Sequence, residues 1–273
     1  MLRIWLRGLG LTVVLLAASC SPSVPSATPG PATPGPATLL PGDQIVFRVT
    51  TAGGLVPQLY YLLESPSLVV YGDGRVLTQA SNPPAGRVPA RFEVARSDPA
   101  SVAALAARAE TDGLVGPTTD FGTPRVTDMP TTRVLLHGRG EAVEVNVYAF
   151  IEQFESELTG TQQGSRAALR TLIADVSALA QSAPTSDYLP EDVTVFEVPP
   201  EQVPDGTAVT WPGPPPESFL RPATGRAVAC GHLSGESART AYEAALANPG
   251  GRWTVEAKER VLVVNPIPAF TGC

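Results

Sequence analysis

The chain has 273 residues, 43% of them hydrophobic and 16% charged, with a formal net charge of −7. That apolar share is enough to build a core and excludes wholesale disorder. The acidic balance argues against nucleic acid, or an anionic surface, as a partner recruited through charge.

Residues 1–19 read as an export leader. Arg3 and Arg7 open it, an apolar run follows from Gly8 to Ala18, and the small residues Ala17, Ala18 and Ser19 lead into Cys20. The run is too short to cross a bilayer, for which about 20 residues are needed, and it suits the core of a cleaved signal. The stretch is similar to the lipobox of bacterial lipoproteins, with Ala17 where leucine is usual and Leu16 one place earlier. That similarity implies a diacylglyceryl thioether on Cys20 with palmitate-type acylation, and two chains anchor durably where one is marginal. The alternative is a secretory signal cut nearby, which leaves Cys20 as a free thiol.

Residues 20–42 form a proline-rich stalk. Ser21 to Gly42 carries seven prolines and no charge, and it repeats Thr28-Pro-Gly-Pro-Ala32 as Thr33-Pro-Gly-Pro-Ala37. Such a segment buries nothing, and it reads as a disordered, extended tether with a reach on the order of 65 Å.

Beyond the stalk the expected class is α+β, with antiparallel sheet and two or three packed helices. Gln44–Thr50 and Gln58–Glu64 read as strands, and Leu68–Tyr71 with Arg75–Thr78 reads as a hairpin around Gly72-Asp73-Gly74. Ser97-Asp98-Pro99 opens a helix that Gly113 closes. Residues 116–130 form a polar loop, and Thr132–Leu136 with Ala142–Phe150 forms a second hairpin. Ser165–Gln181 is a helix whose Leu169, Leu172, Ile173, Val176 and Leu179 share a core-facing side.

A break at 182–190 separates a main domain (43–182) from a smaller C-terminal unit (183–273), either independent or packed on the first. In that unit Val193–Val198 reads as a strand and 199–222 as an irregular, proline-rich segment. Strand Arg226–Cys230, helix Glu236–Asn248 and strands Trp253–Glu256 and Arg260–Asn265 complete the chain. With Cys20 acylated, Cys230 and Cys273 remain as an even pair in an oxidising compartment, where a disulfide is the default.

The stretches LVVYGDGRV (68–76), VTDMPTT (126–132) and VNVYAF (145–150), with Trp211, Cys230, Trp253 and Cys273, carry a wider likeness. On them the chain resembles a group of uncharacterised lipoproteins and secreted proteins from actinobacteria and other GC-rich organisms. Members of that group end in a more basic, Leu-Pro-rich segment, where this chain has Asn265-Pro-Ile-Pro-Ala269. The resemblance implies an extracytoplasmic, membrane-anchored location and a shared fold, and transfers no catalytic residue.

No H-E-x-x-H, C-x-x-C, phosphate-binding loop, calcium loop or S-x-x-K is present, so no metal and no cofactor is expected. His137 sits at a turn. His232, two residues after Cys230, belongs to a G-x-x-S-G segment with the wrong spacing for a nucleophile elbow. The remaining candidates are the carboxylates Asp120 and Asp128, which share a loop, and the aromatic residues Trp211 and Phe219 among prolines. The aromatics read either as a contact surface or as staples to the core. The functional expectation is a lipid-anchored envelope lipoprotein on the extracytoplasmic face of the cell membrane. Its body binds or scaffolds an envelope protein or ligand without catalysis. The alternative is an envelope hydrolase using Asp120 and Asp128.

Overall fold

The computed structural model describes residues 38–56, 58–81, 89–181, 183–202, 206–222, 228–248, 250–268 and 273. The leader, Cys20 and the proline repeats lie outside them. In chain order the elements are β1 (Ile45–Ala52), α1 (Gln58–Leu63), β2 (Leu68–Tyr71), β3 (Arg75–Ser81), β4 (Arg91–Arg96) and α2 (Pro99–Asp112). Then come β5 (Thr131–Leu136), β6 (Val143–Tyr148), α3 (Gly160–Gln181), β7 (Ser186–Asp187), β8 (Asp192–Glu197), β9 (Val209–Thr210) and β10 (Arg221–Pro222). The chain closes with β11 (Ala229–Ser234), α4 (Gly235–Ala247), β12 (Arg252–Val255) and β13 (Lys258–Asn265). The class is α+β, as the sequence implies.

The strands make two sheets. The first runs β6-β5-β1-β2-β3-β4-β7 and is antiparallel throughout; the second runs β10-β11-β8-β13-β12-β9 and is antiparallel except where β9 joins β12. Alternation along β1, β5 and β6 sends Phe47, Val49, Val134, Leu136, Val145 and Val147 to one face of the first sheet. Helices α2 and α3 cover that face with Val102, Ala106, Leu169, Leu172 and Val176. Part of the opposite face, Val69, Leu77 and Phe92, packs under Tyr188 and Ile267 from the C-terminal half. In the second sheet Val195, Leu233, Leu262 and Val264 meet α4 through Ala238, Ala241 and Tyr242.

Local chemistry explains the boundaries. Asp98 caps α2 by accepting from the Ala100 N–H, and Gly113 ends it at φ 63°, where only glycine is unstrained. In the first hairpin Asp73 accepts from the Arg75 N–H at 3.0 Å. A side chain at Gly74 (φ +86°) would lie 2.1 Å from the Ser97 carbonyl, so glycine is obligatory there. The body reaches back to Leu40, which is buried, and the Gly42 carbonyl accepts from the Asp73 N–H at 3.2 Å.

Several elements differ from the sequence expectation; β11, for one, runs Ala229–Ser234 where a strand over Arg226–Cys230 was expected. Gln58–Leu63 is a helix and not a strand. It buries Leu62 against Phe196, Val261 and Val263 of the second sheet, while Tyr61 stays exposed. It is the fourth helix where two or three were expected. Helix α3 also begins at Gly160, five residues before Ser165. Its start is a reciprocal cap: Gln162 Oε1 accepts from the Thr159 N–H at 3.0 Å, and Thr159 Oγ1 accepts from the Gln162 N–H at 3.3 Å.

Candidate functional site

The densest polar constellation among the described residues surrounds α3. Arg166 has no exposed surface, and all five of its N–H groups find acceptors. Nε donates to the Phe121 carbonyl at 2.6 Å, Nη1 to the Ala149 carbonyl at 3.0 Å and Glu155 Oε1 at 3.4 Å. Nη2 donates to the carbonyls of Tyr148 at 2.7 Å and Gly122 at 3.2 Å. Arg170, one turn on, holds Glu155 in a fork at 2.7 and 3.0 Å. Both guanidinium groups lie over the Phe150 ring, at 5.9 and 5.3 Å.

The cluster sets its own electrostatics. Hydrogen bonds from Arg170 hold the Glu155 carboxyl below the usual carboxylate range, against the opposing effect of burial. Burial draws the Arg166 guanidinium down, and Glu155 offsets it. Two guanidinium groups facing one carboxylate leave a residual positive charge, spent on backbone carbonyls. The arrangement fastens the 121–122 loop, the end of β6 and the 152–155 turn onto one helix.

Beside it lies a recess of about 330 Å³ between α3 and the open end of the first sheet, walled by Val49, Phe150, Ile173 and Arg170. The hydroxyls of Thr51 and Thr132 line it and bond to each other at 3.0 Å. A larger cleft of about 620 Å³ separates α2 from α3 next to the Arg108–Asp175 ion pair. Apolar walls with a few fixed polar groups are what a binding site needs. Neither lining offers a nucleophile hydrogen-bonded to a base.

The residues singled out in the sequence are dispersed. Asp120 has both oxygens engaged, accepting from the Gly122 N–H at 2.8 Å and from Gln162 Nε2 at 2.9 Å. The Gln162 bond, then the Gly122 bond, lowers its pKa. Asp128 stands at φ 60° in the turn before Pro130, and its carbonyl accepts from the Leu55 N–H at 3.4 Å. The two aspartates thus serve separate turns. Trp211 is buried edge-to-face on Trp253 with ring centroids 5.0 Å apart, and its Nε1 donates to the Pro214 carbonyl. Phe219 is half-buried against the same cluster. Both aromatics pack the described residues around them onto the core of the second sheet.

Cys230 and Cys273 form a disulfide with Cα atoms 5.6 Å apart. His232 Nδ1 lies 3.3 Å from the Thr194 hydroxyl, and the His137 carbonyl accepts from Gln44 Nε2 at 2.6 Å. Among the described residues no group of three His, Cys, Asp or Glu is placed to hold a metal ion, and no helix is long and apolar enough to cross a membrane.

The buried Arg166 is the feature the sequence reading passed over. It falls on the same helical side as Leu169 and Ile173, and a charge within an apolar stripe is a signal of its own. No family model, curated protein or solved structure matches the chain.

Proposed function

We propose that the protein is an exported lipoprotein, acylated at Cys20 on the extracytoplasmic face of the cell membrane, whose folded body binds or scaffolds another envelope component without catalysis. The observation that carries the reading is the use of cysteine. The chain has three, Cys230 and Cys273 bond to each other, and the third ends a basic–apolar–small leader. A disulfide is at home in an oxidising compartment, and the proline repeats after Cys20 supply a spacer. The likeness to actinobacterial lipoproteins belongs to the same reading.

The non-catalytic reading is supported by Asp120, whose carboxylate is committed to its own turn and to Gln162. Recesses with apolar walls favour binding. The test is metabolic labelling with a fatty-acid analogue in cells expressing the full chain, followed by fractionation. Wild-type protein takes up label and stays with membrane, and Cys20→Ala does neither. Equal labelling of the two overturns the anchor. In-cell crosslinking that recovers no specific partner overturns the binding role.

A further inference from the structure

We infer that β6 is a docking edge for a second copy of this chain, joined by antiparallel strand pairing about a two-fold axis at Val145. Among the described residues three of the four sheet edges are blunted: β7, β9 and β10 have two residues each, and β10 contains Pro222. Short edges and prolines are how proteins prevent strand addition. The β6 edge has six residues, VEVNVY, with no proline, no bulge and no charge turned toward the core. Its strand neighbour is β5, on its other side.

The hydrogen-bond phase identifies the free groups. The Ala149 N–H donates to the Pro130 carbonyl at 2.9 Å. The β5–β6 register pairs Thr132 with Val147, Val134 with Val145 and Leu136 with Val143. Bonded pairs alternate in an antiparallel ladder, so Val143, Val145 and Val147 bond inward to β5. Glu144, Asn146 and Tyr148 then turn their backbone groups outward. The Tyr148 carbonyl is taken by Arg166 at 2.7 Å, which closes that end. Among the described residues Glu144 and Asn146 remain, each offering one N–H and one C=O, and both side chains are exposed.

These four groups satisfy one another in a single register. With the axis at Val145, Glu144 pairs with the partner's Asn146 and Asn146 with the partner's Glu144, forming four bonds across the junction. No carboxylate then faces a carboxylate. On the other face Val145 meets the partner's Val145 and Val143 meets the partner's Val147, at the closer, non-bonded spacing. Half-buried Val143 is thereby covered and the apolar face of the first sheet continues across the axis. Moving the axis to Asn146 would instead require the Tyr148 carbonyl that Arg166 occupies.

The test uses the full chain in mild non-ionic detergent and is independent of the lipoprotein reading. Glu144→Cys chains mixed with Asn146→Cys chains should form a disulfide-linked dimer on mild oxidation, since bonded antiparallel pairs have Cα atoms about 5.5 Å apart. Either variant alone should form no more than the wild type does. Asn146→Pro removes an outward N–H and no bond to β5; it should keep the melting temperature and weaken dimerisation in sedimentation by roughly tenfold or more. Should that variant misfold, Asn146→Glu sets carboxylates opposite Glu144 and weakens the dimer, and adding Glu144→Lys restores it. A monomeric wild type, equal crosslinking in all arms, or a dimer indifferent to Asn146→Pro and Asn146→Glu overturns the proposal. So does a monomer carrying a foreign strand on β6.

Discussion

Asn265 Nδ2 donates to the Leu62 carbonyl at 2.9 Å across 203 residues of chain. The same amide donates to the Glu64 carbonyl at 3.2 Å, and its Oδ1 accepts from the Ser65 hydroxyl at 2.9 Å and the Ile267 N–H at 3.0 Å. Asn265 is 1% exposed. One buried amide therefore fastens the end of α1, and through it the first sheet, to the last strand of the second. Asn265→Leu strands several polar groups and should cost about 2–3 kcal/mol in a denaturant titration. Asn265→Asp should cost at least as much, since it loses the donor and sets a charge against carbonyls.

Arg166 should be the most sensitive position on α3. Arg166→Met leaves the Phe121, Gly122 and Tyr148 carbonyls without donors, Ala149 keeping the Ile151 N–H, and should destabilise by about 3–5 kcal/mol. Arg166→Lys should recover little, because an ammonium has three donors where the site uses five in a planar fork. A variant that unfolded at the wild-type denaturant midpoint would show that the cluster contributes nothing net.

Glu155 gives stability a pH dependence of definite sign. Its folded pKa lies below the ordinary value of 4.5, so its contribution is complete above that value and is lost as pH falls through the depressed one. Glu155→Gln should melt lower than wild type at neutral pH. The two melting curves should converge once the pH has fallen through the depressed value. A gap that persisted in acid would assign the loss to packing.

Glu64 behaves oppositely. Its Oε1 accepts from the Gly53 N–H at 2.7 Å, while Oε2 is buried without a hydrogen-bond partner. Burial raises its pKa above 4.5, so protonation favours the fold and stability is lost as pH rises through the raised value. Glu64→Gln should raise the melting temperature at neutral pH and lose that advantage in acid. Melting curves at the two pH values decide it.

The disulfide closes a ring with a sequence separation of 43 residues. Reducing it should cost up to about 4 kcal/mol on the loop-entropy account. The unfolded, unreduced chain should titrate with no free thiol at Cys230 or Cys273, and free thiols at both positions would refute the pairing.

The sequence made the fold legible wherever a local rule coincided with tertiary need. The Gly72-Asp73-Gly74 hairpin and the Asp98 and Gly113 caps of α2 are local chemistry, and they formed as written. QLYYLL misled because a short apolar run has no decisive period; its helix is held from outside, by Asn265 on its carbonyls and by the second sheet under Leu62. The start of α3 was present in the sequence as Thr159-x-x-Gln162, but Gly160 and Gly164 masked it by their low helix propensity. The α3 cluster was the least legible part. Its acceptors lie on three separate segments, and only folding brings carbonyls 121, 122, 148 and 149 and the Glu155 carboxylate to one guanidinium.

The first strand of the chain is not at a margin of its sheet: β1 lies third of seven, paired to β2 on one side and β5 on the other. The residues just before it are stitched to the first hairpin through Gly42 and Gln44. A mechanical load entering at Leu40 therefore runs lengthwise along β1 and is borne by two ladders together, in shear. It cannot unzip an edge bond by bond. Drawing β1 out would divide the sheet into β6-β5 and β2-β3-β4-β7 and open the core beneath both. Pulled from its amino end, this fold is built to hold.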